Sequence, residues 1–149
     1  MNPEFKIKRF NELSLQELYK VLQLRSEVFV VEQNCVYQDV DGKDEKALHL
    51  LGIYDNEIFG YSRLFAPGYY FDDASIGRVA IAMKFRNRKW GHSLIQAAIQ
   101  GIYSNFGKVP ITISAQLYLK NFYESHGFVQ QGEVYPEDGI PHIQMHKTP

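Results

Sequence analysis

The chain has 149 residues, enough for one domain with its own core and cramped for two. Its formal net charge of −1 argues against a nucleic-acid partner, because such binding needs a basic surface. No apolar run approaches the roughly 20 residues that cross a bilayer, so no membrane partner is expected.

The opening residues, Met1-Asn2-Pro3-Glu4, show no signal-peptide pattern, and the single Cys35 excludes an internal disulfide. Both fit a cytoplasmic protein. Phe5 and Ile7 begin an alternating strand. Ser14 with Glu17 forms a capping box, and Leu15, Leu18, Tyr19 and Leu22 recur at helical spacing, which predicts a helix from Leu15 to about Val28. Phe29 to Gln33 extends or kinks that helix, and Asn34 to Glu45 reads as loop, with Asp39, Asp41 and Asp44 clustered.

Two strands follow, Ala47–Tyr54 and Glu57–Phe65, joined by an Asp55-Asn56 hairpin turn. Ile76 to Ala82 is apolar except at Arg78, as suits a central strand covered on both faces. A helix starts near Gly91, with Ile95, Ala98, Ile99, Ile102 and Phe106 on one face, and stops at Asn105 and Gly107. Val109–Ala115 is another buried strand, and a short helix through Leu119, Phe122 and Tyr123 ends at Gly127. Phe128–Tyr135 and His142–Lys147 form a terminal strand pair, joined by the loop Pro136–Pro141. The order β-α-β-β-β-α-β-α-β-β predicts an α/β (α+β) domain over 1–149: a central mixed sheet with helices on both faces.

Phe85-Arg86-Asn87-Arg88-Lys89-Trp90-Gly91-His92-Ser93 sits between the central strand and the second long helix. A basic loop at a helix N-terminus is an anion site, because unpaired backbone N–H groups and the positive dipole end converge there. The loop alone is equally consistent with a solvated basic turn.

Two spaced patterns narrow the choice. Arg86 and Gly91 match an Arg/Gln-x-x-Gly-x-Gly/Ala signature at a strand–helix junction, with Lys89 where glycine is usual. Gln116 and Tyr123, seven apart and ahead of Gly127-Phe128, match a second motif in which asparagine usually holds the first place. In these motifs and in element order the chain resembles the GNAT superfamily of acyl-CoA-dependent N-acyltransferases. Val28-Phe29-Val30-Val31-Glu32-Gln33-Asn34-Cys35, Tyr37-Gln38-Asp39 and Glu137-Asp138-Gly139-Ile140-Pro141-His142 make it similar to the ElaA-type branch.

That resemblance implies a twisted, mostly antiparallel sheet of about seven strands, splayed where acyl-CoA binds. It implies that Arg86, Asn87, Arg88, Lys89, Trp90, Gly91, His92 and Ser93 cradle the pyrophosphate, Gly91 allowing close backbone approach. The pantetheine arm would pair with the backbone of Val79, Ala80 and Ile81, and Gln116 and Asn121 would bond its amides or the thioester. Tyr123 takes the general-acid position; a phenol, with an ordinary pKa near ~10, is protonated at neutral pH and can donate.

The base is not set by the resemblance. Glu32 and His142 are the leading candidates, with Asp41 and His49 behind them. Glu32, Tyr37, Asp41, Arg78 and His142 are candidate substrate-binding residues. Arg25 reads as an ion-pair partner, and Arg78, in a buried strand, requires a carboxylate partner or an anionic substrate. The aspartates, which lack calcium-loop spacing, read as solvated or substrate-facing. The histidines show no zinc spacing, and no metal is expected.

The resulting expectation is an N-acetyltransferase that moves an acetyl group from acetyl-CoA to a primary amine of a small molecule or peptide, by direct attack in a ternary complex. A CoA-binding sensor without transfer activity is the alternative. An acyl-homoserine-lactone synthase, suggested by Arg25, Phe29 and Glu32, is disfavoured by chain length. A homodimer is left open.

Overall fold

A computed structural model describes residues 2–149. Strand β1 (Glu4–Arg9) leads through a 3-10 turn to helix α1 (Leu15–Arg25). Ser14 caps α1 as the sequence predicts: its Oγ accepts from the Glu17 N–H at 3.0 Å, and Glu17 Oε1 accepts from the Ser14 N–H at 2.9 Å. The α-helical turn ends at Arg25, earlier than the spacing suggests, and Ser26–Glu32 continues as a π-helix. That widened turn is typical of functional sites and re-aims the side chains that follow.

Strands β2 (Leu48–Tyr54), β3 (Glu57–Phe65) and β4 (Ser75–Ile81) pair antiparallel, with β1 on the outer edge of β2. Helix α2 (Trp90–Phe106), strand β5 (Ile111–Gln116), helix α3 (Lys120–Glu124) and strands β6 (Val129–Glu137) and β7 (Ile140–Lys147) complete the order. The seven strands form two sheets, β1-β2-β3-β4 and β5-β7-β6.

Alternation along the strands sorts the core into two layers, because successive side chains point to opposite faces. Leu50, Leu64 and Ile76 pack with Leu94, Ala98 and Ile102 of α2 on one face. Leu51, Tyr61 and Ala80 pack with Val21, Leu24 and Val28 on the other. Gly101 lets α2 lie close to the sheet: a Cβ there would stand 2.5 Å from Ile7 Cδ1 and 3.0 Å from Leu64 Cδ1.

The loop predicted between the last two strands is much shorter in the structure. Asp138 and Gly139, with φ of 51° and 76°, form a two-residue hairpin, and the strands run on through a Pro136–Pro141 pair. Two successive left-handed residues match the twist of the flanking strands, which is why Asp-Gly is a hairpin signal. Proline is tolerated here because Pro136 lies on the edge strand β6 and Pro141 lies beyond His142, where the pairing of β7 with β5 ends.

Candidate active site

The two sheets touch at one end only. Ala74 bridges Ile111 in parallel fashion, and the Thr112 N–H donates to the Ala74 carbonyl at 2.8 Å. Beyond that point no ladder joins β4 to β5, so the edge of β4 from Gly77 to Ile81 faces a cleft instead of another strand. The cleft holds about 700 Å³ and is walled by Ile76–Ile81 on one side and Ile113–Gln116 on the other. Phe29, Glu32, Tyr37, Tyr118, Tyr123 and His142 also line it.

A bulge in β4 helps to open this fork. Tyr61 pairs with Ala80 and Arg63 with Gly77, so Arg78 and Val79 together oppose Ser62. Arg78 sits at φ 49°, a left-handed conformation that costs a β-strand residue about 1 kcal/mol or more. Ser62 Oγ satisfies the Gly77 carbonyl at 2.9 Å, and two aspartates hold the Arg78 side chain.

At one end of the cleft lies the basic loop. Met83–Arg88 is a 3-10 helix, and Lys89, at φ 60°, turns the chain into α2. The left-handed position is thus Lys89, where the motif usually has glycine; a Cβ on Gly91 would meet the Phe122 ring in ordinary contact, at 3.7 Å from Cε1 and 3.8 Å from Cζ. No side chain caps the N-terminus of α2, which leaves its first N–H groups available to an anion. Arg86, Lys89, Gly91 and His92 line the cleft.

Asn87, Arg88, Trp90 and Ser93 do not line it. The Arg88 guanidinium lies over the rings of Tyr54, Phe85 and Trp90, 4.9 to 5.4 Å from their centroids. Trp90 packs on Phe59, 4.7 Å between ring centroids. Arg86 donates to the Ile81 carbonyl at 3.0 Å and to Glu32 Oε2 at 2.6 Å, tying the loop to the end of β4 and to the π-helix.

Tyr123 stands in the cleft wall, buried to 6% exposure, with its ring edge-on to Phe122 and Phe128. Burial, with Tyr118 nearby, pushes its phenol well above the ordinary value, so it carries its proton throughout the neutral range. Gln116 lines the same wall and its Nε2 donates to Gln33 Oε1 at 3.3 Å. Asn121 is exposed and away from the cleft.

The aspartate cluster is neither solvated nor free. Asp39 and Asp44 are both 7% exposed. Asp39 Oδ2 lies 2.8 Å from Arg25 Nε, and Asp44 Oδ1 lies 2.8 Å from Arg25 Nη1 and 2.9 Å from Arg63 Nη1. Asp41 Oδ2 is 2.6 Å from Arg63 Nη2 and 3.4 Å from Arg78 Nη2, and Arg78 Nε is 2.7 Å from Asp39 Oδ1. The three guanidinium and three carboxylate groups neutralise one another. Burial alone would raise Asp44, but Arg25 and Arg63 more than offset it and hold the carboxyl below the usual range. Arg63 and Arg78 likewise hold Asp41 well below that range against partial burial.

His49 belongs to this network and is closed to catalysis. It is 1% exposed, its Nε2 sits 2.8 Å from the Asp44 carbonyl, and its Nδ1 is 2.6 Å from the Tyr61 hydroxyl. Nε2–H donates to the carbonyl, so Nδ1 accepts from the phenol and the ring is neutral; burial pushes its pKa down. Asp41 does not line the cleft, whereas Glu32, Tyr37, Arg78 and His142 do.

Sequence reasoning also passed over Glu137. It lines the cleft beside His142, with Oε2 3.3 Å from His142 Nε2 and Oε1 accepting from Ser114 Oγ at 3.3 Å. The Asp138-Gly139 hairpin was the available signal, since it extends β6 far enough to place Glu137 in the strand pair.

A split sheet with an uncapped helix N-terminus at the fork is the frame of this cleft, and solved structures share the fold. The chain belongs to the GNAT acetyltransferase family: residues 11–149 match the model of the acetyltransferase (GNAT) domain. It is 42% identical to Protein ElaA of Escherichia coli over 137 residues, 91% of this chain and 90% of that one. The crystal structure of Escherichia coli ElaA superposes with a TM-score of 0.89, at 40% identity, covering 97% of this chain and 99% of that one. An acyl-CoA N-acyltransferase from Pseudomonas aeruginosa superposes with a TM-score of 0.91, at 41% identity and the same two coverages. A GNAT family acetyltransferase from Elizabethkingia anophelis, with acetyl-CoA bound, shares the fold at a TM-score of 0.66 and 19% identity, covering 99% of each chain. Among the described residues no helix is long and apolar enough to cross a membrane.

Proposed function

We propose that the protein, working as one domain in the cytoplasm, transfers an acetyl group from acetyl-CoA to a primary amine of a small molecule or peptide. The observation that carries this reading is the cleft between β4 and β5, with Tyr123 in its wall and the uncapped N-terminus of α2 at its end. The uncapped N-terminus of α2, with Arg86, Lys89 and His92 beside it, suits the pyrophosphate of CoA. The unpaired edge of Val79, Ala80 and Ile81 suits the amides of the pantetheine arm, which pair with an open strand edge as another strand would.

The amine nitrogen attacks the thioester carbonyl, a C–N bond forms and the C–S bond breaks. The departing thiolate takes the Tyr123 proton, and the nitrogen, positively charged after attack, gives up its surplus proton to restore the phenol, so CoA leaves as the thiol and the product as the neutral amide. Glu32 is a weaker candidate base than His142, because the Arg86 ion pair holds its carboxylate.

Incubation with acetyl-CoA and a panel of primary amines tests the reading: thiol release that depends on the amine, with an acetylated product, supports it. CoA binding without transfer to any amine supports the sensor alternative instead.

A further inference from the structure

Charge in the cleft wall divides into paired and unpaired groups. Glu32 is held by Arg86 at 2.6 Å, and Arg78 by Asp39 at 2.7 Å and Asp41 at 3.4 Å. Arg25 and Arg63, which with Arg78 would suggest an anionic substrate, are 0% and 1% exposed and paired with aspartates. Among the described residues no guanidinium at this end of the cleft lacks a carboxylate partner. Glu137, at the tip of the last hairpin, is a carboxylate facing the cleft without an Arg or Lys partner among the described residues.

Its neighbour explains what it awaits. His142 is 6% exposed and its Nδ1 lies 2.7 Å from the Ile140 carbonyl. That oxygen can only accept, so Nδ1 carries the hydrogen and the neutral ring presents a lone pair at Nε2. Nε2 lies 3.3 Å from Glu137 Oε2. Two acceptors so close repel each other unless a proton or a cation stands between them. The Tyr135 ring stacked on His142 and its cross-strand partner Gln116 supply no charge of their own at neutral pH.

We propose that Glu137 and His142 form the seat for the acceptor's ammonium group, and that the acceptor is an amine without a carboxylate near its nitrogen. This rests on the acetyltransferase reading above. The ammonium donates to both groups. On deprotonation the proton passes to His142 Nε2, the nitrogen lone pair is freed for attack, and the Glu137 carboxylate balances the new imidazolium. Glu137 therefore has two roles, as a binding residue for the cation and a positioning residue for the base.

Transfer from acetyl-CoA to butylamine and to γ-aminobutyrate, equal in chain length, tests this in the native protein and in Glu137→Gln. The native enzyme should prefer butylamine by at least ~10-fold in kcat/KM, as one unfavourable charge contact of about 1.4 kcal/mol requires. Glu137→Gln should lower kcat/KM for butylamine about 10-fold and shrink that preference, with the KM for acetyl-CoA unchanged. Glu137→Asp, which keeps the charge, should recover part of that preference, as a merely structural glutamate would not. Preference for γ-aminobutyrate, or a Glu137→Gln variant with the native preference, overturns the inference while leaving the acetyltransferase reading intact. CoA binding with transfer to no amine overturns both.

Discussion

The two cationic regions of this molecule look alike in composition and differ in kind. In the loop from Met83 to Lys89, Lys84 pairs with Glu57, Arg86 with Glu32, and Arg88 stacks on aromatic rings, which leaves Lys89 as the cation without a carboxylate partner among the described residues, beside the uncapped start of α2. The cluster of Arg25, Arg63 and Arg78 is buried or half-buried and matched by Asp39, Asp41 and Asp44. The first can bind an anion; the second is internally neutral and fixes the shape of the cleft. Charge marks a binding site only where it is left unpaired.

The largest effect should come from unbalancing the buried cluster. Asp44→Ala strips Arg25 and Arg63 of a shared partner and should cost about 3–5 kcal/mol of stability, read from urea unfolding. A near-neutral result would mean the cluster is wetter than its burial indicates. Next is Tyr123→Phe, which should lower kcat about 100-fold, roughly 2.7 kcal/mol in the barrier, with the Kd for CoA nearly unchanged. Equal rates would remove the acid role from this residue.

A smaller pair of effects separates two adjacent cations. Lys89→Ala should weaken CoA binding several-fold in calorimetry at low salt, and less at high salt. Arg88→Ala should leave CoA binding intact and cost about 1 kcal/mol of stability through its aromatic stack. The smallest effect is a pH slope. Asp41 and Asp44 titrate lower in the folded chain than in the unfolded one, so their stabilisation is complete above the ordinary carboxylate value near ~3.9. It is lost as pH falls below that toward their folded values. Urea midpoints measured downward from about pH 5 should fall in the parent and fall less in Asp44→Asn.

Much of this was legible in advance. The capping box at Ser14, the Asp55-Asn56 turn and the apolar run before Arg86 each act within a few residues, so they survive in the linear pattern. The Tyr123 position could be read from its spacing to Gln116 and from Gly127. The π-helix after Arg25 could not, because its widened turn serves contacts made far away, Glu32 with Arg86 and Gln33 with Gln116. Nor could the left-handed turn at Lys89, where the motif usually has glycine, because φ is fixed by how the loop meets α2.

The sequence by itself determined the order of elements, a fourth strand covered on both faces and a basic loop opening a helix, since local periodicity and capping are encoded within one segment; that this strand is the edge of its sheet and not a central one was set by the fork. Only the tertiary structure decided which charges are free. Arg25 meets Asp39 and Asp44, and Glu137 meets His142, through folding that no spacing along the chain records. Pairing is a property of three-dimensional distance, and it turned an acidic loop that looked like a substrate site into a scaffold and an unremarked glutamate into the candidate seat for the substrate.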